Sequence, residues 1–213
     1  MMQARAESDY PVRFSVDYPD RELDRASTFF RLFMAIPIVI VLGAVSGGSW
    51  RWSSEEGEAV AAGAGGLLFF APLLMIVFRQ KYPRWWFDWN LGLLRFSNRV
   101  SIYLSLMDDR YPSTDEEQSV HLDIAYPDAA RDLNRWLPLV KWFLAIPHYI
   151  VLAFLYLAAI VVVIVAWFAI LFTGRFPRAM FGFVEGVIRW HNRVVGYAIV
   201  LVTDRYPPFR LAP

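Results

Sequence analysis

An Arg-x-x-Asn-Arg pattern occurs twice in the sequence and is its most prominent polar feature. Its members are Arg95, Asn98 and Arg99 in the first copy, and Arg189, Asn192 and Arg193 in the second. Arginine side chains on a helix at a membrane surface can bind the phosphates of anionic lipids. These six residues are therefore candidates for a lipid-phosphate site.

A structural role is the alternative for the same residues. An Asp-Arg-Tyr-Pro sequence also recurs, and its aspartates, Asp109 and Asp204, could form ion pairs with the arginines. Asn98 and Asn192 would then end their helices, since asparagine is a common residue at helix C-termini. We favour ion pairing within the protein, although both roles can coexist.

The three histidines are His121, His148 and His191, and they raise the possibility of a haem or metal site. A bis-histidine haem requires two imidazoles that face each other across helices. Only His148 falls in a predicted membrane segment, and Ile38 stands at the corresponding place in the first half. We therefore expect no metal and no cofactor.

Carboxylates that could act as acid or base are also isolated. Glu185 and Asp88 lie in comparable stretches but not at equivalent positions, and neither has a second carboxylate beside it. Acid–base catalysis requires a positioned pair or a partner with a shifted pKa. The chain has no cysteine, and it contains no nucleophile motif or phosphate-binding loop. The sequence predicts a protein that is not an enzyme.

The two halves of the chain share landmarks in the same order, which indicates an internal repeat. The matching stretches are Val12–Pro19 with Val120–Pro127, Ala35–Pro37 with Ala145–Pro147, Phe78–Arg84 with Phe172–Arg178, and Asp109–Pro112 with Asp204–Pro207. We predict two tandem membrane modules, residues 1–115 and 116–213.

Three motifs in the second half carry a resemblance to a known family. They are AIPH at Ala145–His148, FTGRFPR at Phe172–Arg178 and TDRYPPF at Thr203–Phe209. With them the chain resembles an uncharacterised family of bacterial membrane proteins, the domain of unknown function DUF4389. The first half departs from these motifs, with Ile38 in place of the histidine and RQKYPR in place of TGRYPR. The resemblance implies a membrane module but no activity.

Composition and hydropathy predict a mainly α, integral membrane fold. Hydrophobic residues make up 57% of the chain and charged residues 19%. In the first module two stretches, 29–46 and 59–78, are close to the length that crosses a bilayer. In the second, the uncharged run 142–172 is either a compressed hairpin or one long helix kinked at Pro147. We favour the hairpin, which gives four spans.

Each module is also predicted to contain polar elements beside the membrane. The charged stretches 21–31 and 131–141 would be helices that lead into the membrane, with their basic side chains reaching lipid headgroups. Amphipathic interfacial helices are predicted to begin after Pro83 and Pro177. Alternating apolar residues predict strands at 12–16 and 120–124. The segments VSIYLSL (100–106) and VVGYAIVLV (194–202) are rich in strand-forming residues, so we expect a small sheet of four strands.

Charge placement predicts the orientation and the partners. The loop with Glu55, Glu56 and Glu58 would lie outside, and the basic flanks and both termini would lie in the cytoplasm of a bacterium, at its inner membrane. A net charge of +1 gives no general attraction for nucleic acid. We predict an accessory or scaffold subunit of a larger membrane complex, with lipids and other membrane subunits as partners. The alternative is a homo-oligomeric protein that interacts with lipids or small solutes.

Overall fold

The computed structural model describes residues 10–46, 64–114 and 116–213, and this part of the chain is mainly helical. Within it, two strands and six helices occur in the order β1 (Val12–Val16), α1 (Arg25–Ser46), α2 (Ala64–Arg79), α3 (Arg84–Leu104), β2 (Val120–Ile124), α4 (Pro138–Leu144), α5 (Ile146–Thr173) and α6 (Arg178–Ala198). The predicted mainly α class with short strands is confirmed at this level. The acidic loop and residues 59–63 of a predicted span lie outside the described residues.

The two strands form one antiparallel pair. Phe14 of β1 lies opposite Leu122 of β2, at the centre of the pairing. Every second residue of each strand is buried, as the alternating sequence predicted, so the sheet has one apolar face and one exposed face.

The other two segments predicted as strands are helical over their first five residues and form no strand, so the predicted four-stranded sheet is wrong. Segment 100–106 contains the last turn of α3, and segment 194–202 contains the last turn of α6. In α3, Phe96, Val100 and Tyr103 pack together with Ala35 and Ile38 of α1. Their spacing of three and four residues places them on one helical face, and this packing outweighs the strand propensity of the segment.

The predicted amphipathic helices are confirmed as helices, α3 and α6, whereas their location at the membrane interface stays a prediction. They begin directly after Pro83 and Pro177, as the sequence indicated. Glu185 and Arg189, four residues apart, form an ion pair on one face of α6.

The charged stretches in front of α1 and α4 are helical only in part. α1 begins at Arg25, and the preceding Asp24 caps it by accepting hydrogen bonds from the backbone amides of Ala26 and Ser27, both at 3.1 Å. In the second half, the helix begins only at Pro138, and turns precede it.

Two of the described helices, α1 and α5, are long and apolar enough to cross a membrane, over Arg25–Gly43 and Ile146–Thr173. Only 22% of the most apolar window of α1 and 11% of that of α5 is buried inside the protein. The core helix of a soluble protein would be mostly buried by other parts of the protein. Most of the apolar surface of α1 and α5 is instead exposed on the outside of the protein.

α5 is one continuous helix of 28 residues, and the predicted hairpin at 142–172 is wrong. The four-span arrangement built on that hairpin is corrected with it. Pro147 does not kink the helix because it lies in the first turn, where its missing amide proton leaves no bond unmade. The helical structure is instead interrupted at Ala145, which separates α4 from α5. α5 ends at Thr173 and is followed by Gly174, whose φ of 73° is a left-handed conformation that glycine adopts without strain.

The elements form three layers, with α3 and α6 in the middle. On one side, Leu152 of α5 packs with Trp190 and Val194 of α6, and α1 packs on α3. On the other side, β1 lies so close to α6 that a Cβ atom added at Gly196 would be 2.6 Å from a methyl group of Val12. β2 lies on α3 in the same way. Each strand therefore packs on the amphipathic helix of the other half of the chain.

α1, α4 and α5 form the outer layer of helices. We call it the apolar layer, because its exposed surface is apolar. Large exposed side chains recur along α5 from end to end, at Ile146, Ile150, Phe154, Leu157, Val161, Ile164, Phe168 and Phe172. α1 adds Phe29, Phe33, Ile36 and Ile40, and α4 adds Trp142 and Phe143. An exposed apolar surface this extensive marks contact with a membrane or with another protein.

Candidate functional site

The first arginine of each Arg-x-x-Asn-Arg copy binds the strand that lies on its helix. Arg95 Nε donates to the carbonyl oxygen of Leu122 in β2 at 3.0 Å. Arg189 Nε donates to the carbonyl oxygen of Phe14 in β1 at 2.9 Å. Leu122 and Phe14 are the residues that face each other at the centre of the sheet. The two guanidinium groups thus fix both strands to the middle layer at matching points.

The asparagines of the two copies bind each other. Asn98 Nδ2 donates to Asn192 Oδ1 at 2.8 Å, and Asn192 Nδ2 donates to Asn98 Oδ1 at 2.7 Å. Each amide also donates to the carbonyl oxygen four residues earlier in its own helix, that of Leu94 or Ile188. Both side chains are buried in the middle of α3 and α6. The prediction that they end their helices is wrong, and they instead join the helices where these meet.

The second arginines bind the segments that follow their helices. Arg99 donates to the carbonyl oxygen of Ser113 at 2.6 Å. Arg193 donates to the carbonyl oxygens of Arg210 at 3.2 Å and Ala212 at 2.7 Å. Burial, together with the nearby positive charges of Arg210 and Arg189, lowers the pKa of Arg193 to about 10. These contacts direct the guanidinium groups toward protein carbonyls.

Asp109 and Asp204, the predicted partners of these arginines, form ion pairs elsewhere. Asp109 binds Arg21 and also accepts a hydrogen bond from the backbone amide of Asp24 at 3.2 Å. Asp204 lies 2.7 Å from the ammonium nitrogen of Lys141. The predicted pairing with Asp109 and Asp204 is therefore wrong. Arg95 and Arg189 pair with other carboxylates, those of Asp123 and Glu185, and all four arginines donate to backbone carbonyl oxygens.

Arg31 and Lys141 are the two buried cations that the sequence reasoning missed. Both were expected to reach lipid headgroups, yet Arg31 is 2% exposed and Lys141 is 0% exposed. Each lies four residues before the repeated Ala-Ile-Pro sequence, and this equivalent spacing was the available signal.

The contacts of these two cations match. Arg31 donates to the carbonyl oxygen of Asp108 at 2.5 Å, and its guanidinium lies 4.2 Å from the ring centroid of Tyr103. Lys141 Nζ donates to the carbonyl oxygen of Thr203 at 2.7 Å and lies 5.2 Å from the ring centroid of Tyr197. Each cation therefore joins the apolar layer to the turn that follows α3 or α6.

His148 brings two of the family-like motifs together. The side chain is fully buried, and Trp190 Nε1 donates to its Nδ1 at 3.0 Å. Its ring stacks on Phe209 at a centroid distance of 4.0 Å, and the ring of Tyr206 lies 4.8 Å away. The AIPH sequence at the start of α5 is thus held against the TDRYPPF segment by an aromatic cluster.

The other two histidines have different partners. His191 Nδ1 lies 2.6 Å from the hydroxyl of Tyr156, and His121 Nε2 lies 2.9 Å from a carboxylate oxygen of Asp17. Among residues 10–46, 64–114 and 116–213, no group of three histidine or acidic side chains is placed to hold a metal ion.

An apolar groove of about 620 Å³ lies between α1, α3, α5 and α6. Leu32, Ile160 and Val184 are among the apolar side chains of its wall, and the polar side chains of the wall include Tyr156 and His191. Serines and asparagines of α3 and α6 also line it, namely Ser97, Asn98, Ser101 and Asn192. None of the described lining residues is ionised at neutral pH when histidine is neutral. The groove therefore suits a molecule that is mainly apolar and uncharged.

A charged face lies on the opposite side of the protein, on the exposed surface of the sheet. It consists of the exposed residues Arg13, Asp17, His121 and Asp123, and Asp123 also forms an ion pair with Arg95 at the edge of α3. Polar depressions of about 790 and 530 Å³ flank this charged face. The exposed side of the sheet is thus a charged surface with a depression at each side.

Comparison with known proteins gives one match. A family model described as Domain of unknown function (DUF4389) matches residues 136–210. These residues contain α4, α5, α6 and the TDRYPPF segment, and they form about a third of the chain. No curated protein and no solved structure matches the chain.

Proposed function

We propose that this protein is a non-catalytic scaffold subunit of a membrane complex. Its apolar layer is embedded in the cytoplasmic membrane of a bacterium, and its charged face docks on another subunit from the cytoplasmic side. The observation that carries this proposal is the separation of the two surfaces. Exposed apolar side chains cover one side of the three layers, and Arg13, Asp17, His121 and Asp123 lie on the other.

A duplicated module is part of this proposal. Its support is the set of matching contacts in the two halves, in which Arg95 and Arg189 bind opposite strands and Arg31 and Lys141 bind equivalent turns. Asn98 and Asn192 join the copies. We propose that the first module, which lies outside the matched residues 136–210, is a diverged copy of the second.

The use of polar groups favours a scaffold over an enzyme. Glu185 binds Arg189, and Asp88 binds Arg84, so both candidate carboxylates have structural partners. The Arg-x-x-Asn-Arg groups are engaged with carbonyls and with one another. Groups held in this way stabilise one arrangement of the layers, which is what a docking platform requires.

The test uses a photo-crosslinking amino acid in native membranes. Placed at Ser15, on the exposed side of β1, it should give one discrete adduct with another protein. The same amino acid at Phe168, in the apolar layer, should give adducts with lipid. The charge-reversing substitution Asp123→Lys should weaken the Ser15 adduct because it changes the charged face next to the probe.

Two results of this experiment would contradict the proposal. A monodisperse monomer that leaves native membranes without any protein adduct at Ser15 would contradict the scaffold proposal. An adduct that Asp123→Lys leaves unchanged would contradict the role of the charged face.

A second candidate function, binding of a membrane lipid, is favoured by the groove. Its wall is mainly apolar, and it also contains the hydroxyl of Tyr156, which lies 2.6 Å from His191. An uncharged lipid with a hydroxyl or carbonyl group would complement both features.

Two adjacent alanines offer a matched test of this candidate. Ala159 lines the groove, whereas Ala158 is exposed on the outer surface of α5. Native mass spectrometry of protein released from nanodiscs should show that Ala159→Phe loses a retained lipid that Ala158→Phe keeps. Equal lipid retention in both variants would exclude the groove as the site.

A further inference from the structure

We infer that α5 lies in the plane of the membrane, within one leaflet, and does not cross it. This inference rests on the proposal that the apolar layer is embedded in lipid, and it specifies how. α5 has 28 residues and is about 42 Å long, so its length alone would permit a crossing. The positions of its two ends argue against one.

Both ends of α5 are bound to polar segments of the same layered body. At the C-terminal end, the carbonyl oxygen of Gly174 accepts a hydrogen bond from the amide of Leu23 at 2.8 Å. Tyr18 donates its hydroxyl proton to the carbonyl oxygen of Phe176 at 2.6 Å. At the N-terminal end, His148 stacks on Phe209.

β1 connects these two ends beneath α6. Its preceding residue Tyr10 donates a hydrogen bond to the carbonyl oxygen of Arg205 at 3.2 Å, near the N-terminal end of α5. Tyr18, after β1, binds at the C-terminal end. Eight residue steps in an extended chain cover about 26 Å. β1 therefore runs alongside α6 and α5, and any crossing by α5 would carry the sheet through the bilayer as well.

Such a crossing would place charges in hydrocarbon. The exposed side of the sheet carries four charged or titratable side chains. They are Arg13 and Asp17, in and directly after β1, and His121 and Asp123 in β2. Ionised side chains at the bilayer centre carry a large free-energy cost, because they lose their hydration. The outer edges of a two-stranded sheet would also leave backbone groups without hydrogen bonds in lipid.

An orientation parallel to the membrane removes both costs. The apolar layer then enters the acyl region to a depth of about 5–10 Å, as amphipathic interfacial helices do. The sheet, two layers further out, stays in water. The continuous stripe from Ile150 to Phe172 fits this orientation because it gives α5 the same surface along its whole length.

Depth measurement with single cysteines tests the inference directly, because the chain has no cysteine of its own. Phe154→Cys, Val161→Cys and Phe168→Cys lie seven residues apart on the exposed stripe and are spin-labelled in phosphatidylethanolamine and phosphatidylglycerol liposomes. Accessibility to oxygen and to a nickel chelate gives the depth of each label. An in-plane helix places the three labels at one depth, within a few ångströms. A crossing helix places the Val161 label about 10 Å deeper than the other two.

Ser15→Cys is the matched control, since it should remain fully accessible to the nickel chelate. A depth maximum at Val161 would overturn the in-plane arrangement while leaving a membrane scaffold intact. Full nickel accessibility at all three α5 labels would instead contradict membrane embedding, and with it the proposed function.

Sidedness gives an independent measurement. Arg131→Cys precedes α4 and Arg175→Cys follows α5, and both positions are exposed. An in-plane α5 predicts that a membrane-impermeant maleimide labels both from the same side of sealed vesicles. Labelling from opposite sides would overturn the inference.

Discussion

Single residues in this protein use their charges and amides to hold backbone in place. The Arg-x-x-Asn-Arg residues bind two strands, two chain segments after helices, and each other. The asparagine pair is the most sensitive of these contacts. Both of its amides are buried, and each supplies a donor and an acceptor to the other. A partner removed from such a pair leaves a polar group that water cannot reach.

The asparagine pair makes a prediction about additivity. Asn98→Leu should lower the free energy of unfolding by about 1–3 kcal/mol, because the Asn192 amide stays buried without its partner. The double variant Asn98→Leu with Asn192→Leu should lose less than the sum of the two single losses. SDS titration in detergent micelles measures the three values. Asn90→Leu is the control, since Asn90 bonds to the carbonyl oxygen of Trp86 in its own helix. Additive losses would contradict the pairing.

The sequence identified these residues but not their partners. A recurring arginine can be recognised in the sequence. The backbone carbonyl oxygen that it binds cannot be recognised, because every residue has one. Asp109 and Asp204 were therefore the natural candidates, and the structure gives them to Arg21 and Lys141. The equivalent positions of Arg31 and Lys141 before Ala-Ile-Pro could be recognised from the sequence. Their burial could not be predicted, because a charged residue before an apolar helix usually reaches water.

At the scale of elements, helical packing decides what local propensity leaves open. Two kinds of element could be predicted from local signals in the sequence. Alternating apolar residues predicted the strands at 12–16 and 120–124, and the prolines at 83 and 177 predicted the helices that follow them. The segments 100–106 and 194–202 were not, because β-branched and aromatic residues serve equally well on a packed helical face. The uncharged run 142–172 likewise contains no residue that distinguishes one helix from two. In the structure the run forms one helix from Ile146 onward, and Leu152 near its start packs on α6.

Close contact between a strand and a helix gives a second prediction. Gly196→Ala should destabilise the protein by about 1–3 kcal/mol, since the new methyl group would overlap Val12. In a Val12→Ala background, Gly196→Ala should cost much less than it does in the intact protein, because the Val12 methyl group that it would overlap is absent. Thermal unfolding in micelles is the measurement. Gly182→Ala is the matched control in the same helix, where no atom lies within 4 Å of an added Cβ. It should be neutral or stabilising by up to about 1 kcal/mol.

No loss in Gly196→Ala would mean that β1 does not lie on α6 at this distance. A loss that Val12→Ala fails to relieve would place the steric conflict elsewhere.

On the scale of the whole molecule, the two halves exchange their strands. β1 comes from the first half and packs on α6 of the second, whereas β2 comes from the second half and packs on α3 of the first. Tyr82 of the first half also donates its hydroxyl proton to the carbonyl oxygen of Val200 in the second, at 2.8 Å. The predicted modules 1–115 and 116–213 are thus closely interlocked, and neither keeps its own strand on its own helix. Exchange of this kind makes folding of one half depend on the presence of the other.

Division of the chain tests this dependence. Residues 1–115 and 116–213, expressed as separate chains in the same cell, should assemble and co-purify in detergent with helical content close to that of the intact protein. Either fragment alone should aggregate or be degraded, because α3 or α6 would expose the apolar surface that the absent strand covers. Arg189→Ala in the second fragment should weaken the assembly, since Arg189 donates to the Phe14 carbonyl oxygen across the divided chain. Arg175→Ala, at an exposed position, should leave it unchanged. Two fragments that each purify alone as stable, folded monomers would show that the strands are not exchanged, and the interlocked arrangement would have to be abandoned.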